Sequence, residues 1–272
     1  MNFISTFTTS FLSIGLTMIS LLLIKLILDK GSQFKKISST ELINSKEGLA
    51  TSIKRAGIFI GLMIGSLGVL SKSLTEQACD QLLLLIFMLI AIVISDKILF
   101  SKISNKEEVF KGNISLAISE FGLFLGTGII AYGSFYGEGP WYSSIVFFLL
   151  GQLTFIFINL IYEKTYKDIK NSIIDNKISS GLFFGSIMIA QSIIIKTAII
   201  GDFTSWTSDL ISFIELVIIG FSLLYIFTNT IIDKVFLPKI TIKEALKQDL
   251  MPPIIIISSI KIGLAILINL TI

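Results

Sequence analysis

The heptapeptide KISNKEE at 102–108 is a charged phrase in a chain that is otherwise strongly apolar. Its Lys-Ile-Ser/Thr-x-x-Glu pattern returns as KISSTEL at 36–42 and as KITIKEA at 239–245. A serine or threonine three positions before a glutamate is typical of a capping box, in which the two side chains satisfy free amides at the start of a helix. The phrases therefore predict three short linker helices, with the capping pairs Ser38 and Glu41, Ser104 and Glu107, and Thr241 and Glu244.

The segments between these linkers are long and apolar. Of the 272 residues, 53% are hydrophobic and only 15% are charged, and the mean hydropathy is +0.87. Apolar runs of about 20 residues match the hydrocarbon core of a bilayer. We therefore predict an all-α integral membrane protein with eight transmembrane helices. The predicted spans are 4–28, 49–70, 78–100, 113–134, 141–162, 178–199, 206–231 and 252–271.

The linkers recur with a fixed period. An acidic residue followed by a lysine comes shortly before each polar linker, at Asp29-Lys30, Asp96-Lys97, Glu163-Lys164 and Asp233-Lys234. These pairs are about 70 residues apart, and a fixed period that holds two spans predicts four tandem two-helix repeats. The predicted repeats are 1–70, 71–136, 137–202 and 203–272. The third linker, YKDIKNS at 166–172, lacks the capping box, so its helix is expected to begin differently.

The distribution of charge predicts the orientation in the membrane. Each of the four linkers carries four lysines, whereas the other connections carry mainly acidic residues. By the positive-inside rule the linkers are cytoplasmic, and both termini lie on the periplasmic or outer side. Trp141 and Trp206 each begin a span at the expected outer interface, where tryptophan is enriched. We therefore expect a multi-pass protein of the bacterial inner (plasma) membrane.

Glycines spaced by four residues occur in the second helix of three repeats. Small residues at this spacing allow two membrane helices to approach closely, so we interpret them as helix-packing positions. They are Gly57, Gly61 and Gly65 in the first repeat, Gly122 and Gly126 in the second, and Gly181 and Gly185 in the third.

A linker helix, a short polar step such as Gly112-Asn113 or Asp175-Asn176, and a glycine-spaced helix together resemble a known family. This is the bacterial inner-membrane family named domain of unknown function 350. The resemblance covers the whole chain as tandem copies. It is strongest in EEVFKGNISLAISEFGLFLG at 107–126, and weaker at 175–185 and 47–61.

Two repeats depart from the pattern of that family. Asp249 stands in the place of the asparagine in the last repeat, and Gly48 in the first. The resemblance implies a membrane location, with genes for phage-shock-type membrane proteins or ATP-grasp ligases nearby. It implies no catalytic residue.

Four ionisable residues fall at membrane depth, where such groups are functional candidates. In antiparallel spans, Glu215 lies roughly 14 Å and Lys261 roughly 15 Å below the outer face at 1.5 Å per residue, so we expect an ion pair between them. Arg55 and Glu120 occupy equivalent positions in the first two repeats and form a second candidate pair. Together these residues are the candidate intramembrane polar or ion site.

Polar residues also recur every seven positions in three spans, which places them on nearly one face of each helix. These heptad stripes are Asn113, Glu120, Thr127 and Ser134; Gln152 and Asn159; and Ser208, Glu215, Ser222 and Asn229. Because lipid would leave them unsatisfied, we expect them to face the bundle interior. They either line a partly hydrated path that binds or relays an ion, or fix the register of a dry bundle.

Composition narrows the class of function. The chain has no histidine, and Cys79 is its only cysteine, which excludes Cys/His metal sites and Cys-His or Ser-His catalysis within the chain. We expect no enzyme activity, cofactor, metal or nucleic acid; the expected partners are the lipid bilayer and either another membrane protein or a second copy. The favoured interpretation is a structural or accessory component of an envelope-stress type membrane assembly. The alternative is a small ion or solute transporter or channel that uses the four charged residues.

Overall fold

The computed structural model describes residues 3–32, 46–70, 72–95, 104–228, 235–236 and 240–272. Within these ranges the chain forms eleven α-helices. They are α1 (Phe3–Ser32), α2 (Lys46–Val69), α3 (Leu74–Ile94), α4 (Asn105–Phe110), α5 (Ile114–Phe135), α6 (Trp141–Thr165), α7 (Ile169–Ile174), α8 (Ile178–Ile199), α9 (Trp206–Ile226), α10 (Ile242–Lys247) and α11 (Met251–Thr271).

Eight of these helices are long and apolar enough to cross a membrane, which confirms the predicted all-α, eight-span architecture. The predicted span at 178–199 coincides with α8. The three short helices α4, α7 and α10 lie in the polar linkers, each a few residues before the next long helix. In the described chain, one linker helix therefore separates α3 from α5, α6 from α8, and α9 from α11.

The second helices of the predicted repeats form the centre of the bundle. Helices α2, α5, α8 and α11 stand side by side in that order, with extensive contacts between neighbours. The row is open, because among the described residues its end helices α2 and α11 share no extensive contact. The first helices flank it: α3 contacts α2 and α5, α6 contacts α5 and α8, and α9 contacts α8 and α11.

Glycines bring the backbones of the row together. A Cβ atom built on Gly57 would stand 2.6 Å from the Cα atom of Phe121, so α2 and α5 meet without an intervening side chain. A Cβ atom on Gly122 would stand 2.5 Å from the Cα atom of Gly185, which joins α5 to α8 in the same way. The other spaced glycines lie at the same interfaces except for Gly65, which faces a side chain of α3; they are Gly61 at α2–α5 and Gly126, Gly181 and Gly185 at α5–α8.

The linker helices begin in different ways. At α10 the predicted capping box forms: the backbone amide of Glu244 donates to the Thr241 hydroxyl at 3.2 Å, and that hydroxyl and the Thr241 amide donate to the Glu244 carboxylate. The two bonds that the carboxylate accepts lower the pKa of the Glu244 carboxyl, and the bond from the Thr241 amide has the largest effect. At α4, Ser104 makes no side-chain cap, so that predicted box is wrong; the backbone bond from Glu108 to Ser104 closes the turn instead.

The pair Ser38 and Glu41 lies outside the described residues. Helix α7, which lacks the sequence pattern, begins after Asp168 in a left-handed conformation with φ of 73°. A complete box that the sequence analysis missed, formed by Ser73 and Glu76, begins α3 at the opposite end of the bundle.

The polar steps before α8 and α11 tie consecutive repeats together. Asn176 has a φ of 60°, and its side-chain oxygen accepts a hydrogen bond of 3.0 Å from the backbone amide of Ser115 at the start of α5. Asp249 has a φ of 54° and accepts a bond of 3.0 Å from the amide of Ser179 at the start of α8. Asn176 and Asp249 therefore make equivalent contacts, because the hydrogen bond needs only a side-chain oxygen on a residue in the left-handed conformation.

Replacing Asn176 by alanine is expected to destabilise the fold by about 1 kcal/mol, the usual cost of losing a side-chain acceptor at a helix start, with an added cost for a left-handed alanine. Asn176→Asp should retain most of the stability, because Asp249 shows that a carboxylate fits the same contact. Thermal unfolding of the purified protein in detergent measures both, with Asn171→Ala at an exposed position as the matched control. Equal losses for Asn176→Asp and Asn176→Ala would contradict this account.

Candidate functional site

The most connected buried charge is Glu120, in the second turn of α5. Its side chain is fully buried, and its Oε1 atom accepts hydrogen bonds from Lys54 Nζ at 2.9 Å, Ser95 Oγ at 2.8 Å and Asn105 Nδ2 at 3.2 Å. The donors come from α2, from the residue after α3 and from the linker helix α4. Glu120 therefore joins four segments at the linker end of the bundle.

The predicted pair of Arg55 with Glu120 is wrong. Arg55 instead contacts Asp29 of α1, with 2.9 Å between the guanidinium NH1 atom and the carboxylate, while Lys54 pairs with Glu120. The reason is geometric, since consecutive residues of a helix point about 100° apart. Position 54 faces α5 and position 55 faces α1, so Lys54 and not Arg55 is the partner of Glu120.

The predicted pair of Glu215 with Lys261 does not form either, and both residues lie within the described chain. Lys261 is buried, with its Nζ atom 3.7 Å from the ring centroid of Phe183 and 5.8 Å from those of Tyr162 and Tyr166. An ammonium over aromatic faces is a cation–π arrangement. Glu215 is exposed on the surface of α9.

The position of Glu215 follows from the way α9 packs. The buried residues of this helix are Phe213, Gly220 and Leu224, which share one face. At about 100° per residue, Glu215 lies about 200° from Phe213 and thus on the opposite face. Ser208 and Ser222 are exposed on the same side as Glu215.

The three heptad stripes therefore have two different environments. In α5 and α6 the stripes face the interior as predicted: Asn113, Glu120, Thr127, Ser134, Gln152 and Asn159 are all buried. In α9 the prediction is wrong, because Ser208, Glu215 and Ser222 face outward. Asn229, the fourth member of that stripe, lies outside the described residues.

Interhelical hydrogen bonds that the sequence analysis missed connect other helices. Gln81 of α3 donates to Thr17 of α1 at 3.1 Å and accepts from Ser66 of α2 at 3.3 Å. Asn269 of α11 accepts from Thr197 of α8 at 2.6 Å and from Lys196 at 3.2 Å. The only signal in the sequence was a polar residue within an apolar run, which does not identify its partner.

The end of the bundle opposite the linkers carries acidic groups around a cavity of about 1040 Å³. Lys72 and Asp80 form an ion pair of 2.7 Å at its wall. The amide of Glu138 donates to the Asp202 carboxylate at 2.8 Å, which holds the connection after α5 against the one after α8. Trp206 stacks on Tyr142 at this same end, with centroids 6.0 Å apart.

The chain is similar to known proteins along most of its length. The model of the family described as Domain of Unknown Function (DUF350) matches residues 2–135 and 138–272, each match covering two of the predicted repeats. The chain is 27% identical over 233 residues to a UPF0719 transmembrane protein of Aquifex aeolicus (strain VF5), covering 82% of this chain and 86% of that relative. No solved structure matches the chain.

Proposed function

The chain belongs to the family described as Domain of Unknown Function (DUF350), and we propose that it serves as a structural or accessory component of a membrane assembly. The observation that carries this proposal is the exposure of Glu215 on α9. Glu215 lies about 14 Å from the Trp206 end of the helix and about 16 Å from the Ile226 end, at 1.5 Å per residue. A carboxylate facing lipid at mid-membrane costs about 3 kcal/mol, a cost that a polar partner removes.

The packing of α9 supports the same role. Only three of the 21 residues of α9 are buried within the chain, compared with 16 of the 22 residues of α8. The exposed face carries Ser208, Glu215 and Ser222 at heptad spacing, which is the period of two helices wound around each other. This face therefore has the pattern of a helix–helix interface.

Charge indicates what kind of helix completes the interface. The exposed lysines in the described spans, such as Lys25 and Lys164, lie toward the linker ends of their helices, far from the depth of Glu215. A second copy in the same orientation would place one Glu215 against another. The proposed partner is therefore a different membrane protein, with a lysine, arginine or amide side chain at mid-membrane depth.

The distribution of the charged candidates favours this role over transport. Glu120 is held by Lys54, Ser95 and Asn105, whereas Lys261 lies among aromatic rings of α6 and α8 and Glu215 faces outward. In an ion path, these charged groups would lie along one continuous route through the bundle. The proposal assigns the chain no catalytic chemistry.

The proposal also assigns a cellular location and a type of assembly. The lysine-rich linkers support a bacterial inner-membrane location with cytoplasmic linkers and both termini outside. An envelope-stress assembly is supported by the phage-shock-type neighbours that the family resemblance implies. The identity of the protein bound at α9 tests this part directly.

Photo-cross-linking in native membranes tests the proposal. A photoreactive amino acid at Ile218, exposed and one turn from Glu215, should capture another membrane protein. The adduct should fall to background in a Glu215→Leu chain, because the polar contact is lost. The matched control is the same probe at Leu153, exposed on α6, where Glu215→Leu should change nothing. Failure to capture any protein at 218 would contradict the assembly role, and an adduct of two identical chains would replace the partner by a second copy.

A further inference from the structure

A polar cavity of about 720 Å³ opens at the linker end of the bundle, between the end of α6, α7, the start of α8 and α10. Its volume is in the range of small-molecule pockets. Of its 14 lining residues, all within the described chain, 11 are polar or charged, and the other three are Tyr166, Ile169 and Leu246. The lining therefore suits a water-soluble ligand or a lipid headgroup rather than an acyl chain.

Lysines from two consecutive linkers dominate the wall of this cavity. Five lysines line it together with two aspartates: Lys164, Lys167, Lys177, Lys243 and Lys247, with Asp168 and Asp175. The ammonium group of Lys177 donates to the backbone carbonyl of Lys247 at 3.2 Å, which ties the start of α8 to α10. The other four lysines are exposed, so their flexible side chains can turn toward a ligand in the cavity.

The positive charge of this region holds when every acidic residue of the two linkers is counted. The stretches 163–180 and 233–249 each carry four lysines and three acidic residues. The count includes Asp233, Lys234 and Lys239, which lie outside the described residues. An anion in the cavity therefore meets a net positive charge from both linkers.

A buried hydroxyl at the same cavity independently indicates a ligand. Ser180, in the first turn of α8, lines the cavity and is only 1% exposed. Its Oγ atom has no hydrogen-bond partner among the described residues, and a buried hydroxyl without a partner is costly. An oxygen of a bound anion would accept the proton of this hydroxyl and remove that cost.

We infer that this cavity binds a phosphate monoester or diphosphate group, with Lys167, Lys243 and the Ser180 hydroxyl as donors to its oxygens. A phosphate monoester carries about two negative charges at neutral pH and three strong acceptor oxygens, so it can accept from donors on both linkers at once. Lysine binds such a group as a point charge. The same group occurs in soluble phosphorylated compounds and in the headgroups of lipids such as phosphatidic acid. This inference does not depend on the assembly role of α9.

Calorimetric titration of the full chain, purified in detergent, with inorganic pyrophosphate tests the site. The wild-type protein should bind pyrophosphate, and the double variant Lys167→Gln/Lys243→Gln should bind it about tenfold more weakly, since each lysine near a phosphate contributes appreciably. The matched control Lys106→Gln/Lys111→Gln removes the same charge from exposed positions of the linker at α4, outside the cavity, and should bind like the wild type. Equal affinities of the Lys167→Gln/Lys243→Gln variant and the wild type would overturn the site.

The variant Ser180→Ala tests the buried hydroxyl without changing the charge. Because this hydroxyl has no partner within the described chain, the variant without ligand should melt at the wild-type temperature or slightly above it. Its affinity for pyrophosphate should nevertheless fall about fivefold, the effect of one lost hydrogen bond. A lower melting temperature with unchanged affinity would mean that the hydroxyl is structural and would overturn its assignment as a donor.

Two further arms test the phosphate assignment and separate the sources. Citrate, a carboxylate anion of similar charge, should bind much more weakly than pyrophosphate, and equal binding would overturn the assignment to phosphate. In nanodiscs, phosphatidic acid is compared with phosphatidylglycerol at the same surface charge. Weaker pyrophosphate binding with phosphatidic acid alone would assign the group to a lipid headgroup, and equal binding would assign it to a soluble compound. Absence of pyrophosphate binding in detergent and in both membranes would overturn the inference.

Discussion

Replacing Gly122 by alanine is expected to lower the free energy of unfolding by about 2–3 kcal/mol, the scale of forcing an extra group into a close-packed interface. The added Cβ atom would stand 2.5 Å from the Cα atom of Gly185, and it would meet the backbone of α8 rather than a side chain that can turn away. The two helices would have to separate along the centre of the row. Denaturation in mixed detergent micelles, followed by circular dichroism, measures the loss.

The matched control is Gly263→Ala in α11, where a Cβ atom would have nothing within 4 Å. Alanine has the higher helix propensity, by about 1 kcal/mol, so this variant should be as stable as the wild type or slightly more so. The same substitution is thus expected to lower the free energy of unfolding at Gly122 but not at Gly263. A loss at Gly263 equal to that at Gly122 would mean that glycine matters for helix flexibility and not for close approach.

The location of the spans was predictable because a bilayer imposes one simple requirement, a long apolar helix. The spacing of Gly57 and Gly61, or of Gly122 and Gly126, was informative for the same reason, since few physical demands select small residues at every fourth position. The spacing marks helices that pack closely but does not identify the partner of each one. That depends on how repeats stack, and it emerges as the open row of α2, α5, α8 and α11.

The partners of the charged residues were harder to predict. Depth in the membrane can be predicted from the sequence, and the equivalent positions of Arg55 and Glu120 in their repeats predicted that these two residues share one depth. The direction of a side chain depends on which face packs, and an error of one residue turns it by about 100°. This is why Lys54, and not Arg55, reaches Glu120. For Glu215 the heptad pattern was the same as in α5, but the buried face of α9 is defined by Phe213, Gly220 and Leu224 on the other side.

The second large loss of stability is expected when the Lys54–Glu120 ion pair is broken. Replacing Lys54 by methionine should destabilise the protein by about 3–5 kcal/mol, because it leaves a buried carboxylate without its cation. Glu120 is fully buried and short, so it cannot reach the headgroups. Glu120→Gln should cost much less: the amide keeps an oxygen for Ser95 and Asn105, and Lys54, which is 15% exposed, can extend toward the linker face.

The double variant Lys54→Met/Glu120→Gln separates this account from a simple packing loss. Once the carboxylate is absent, losing the lysine should add little, so the double variant should be close to Glu120→Gln alone and more stable than Lys54→Met. Arg55→Met is the matched control; its pair with Asp29 is about one-third exposed on both sides, and such pairs contribute about 1 kcal/mol or less. If the losses from Lys54→Met and Glu120→Gln simply add in the double variant, the two side chains are not coupled and the pair does not hold α2 to α5. Strong coupling would identify it as the electrostatic contact that fixes the register of the first two repeats.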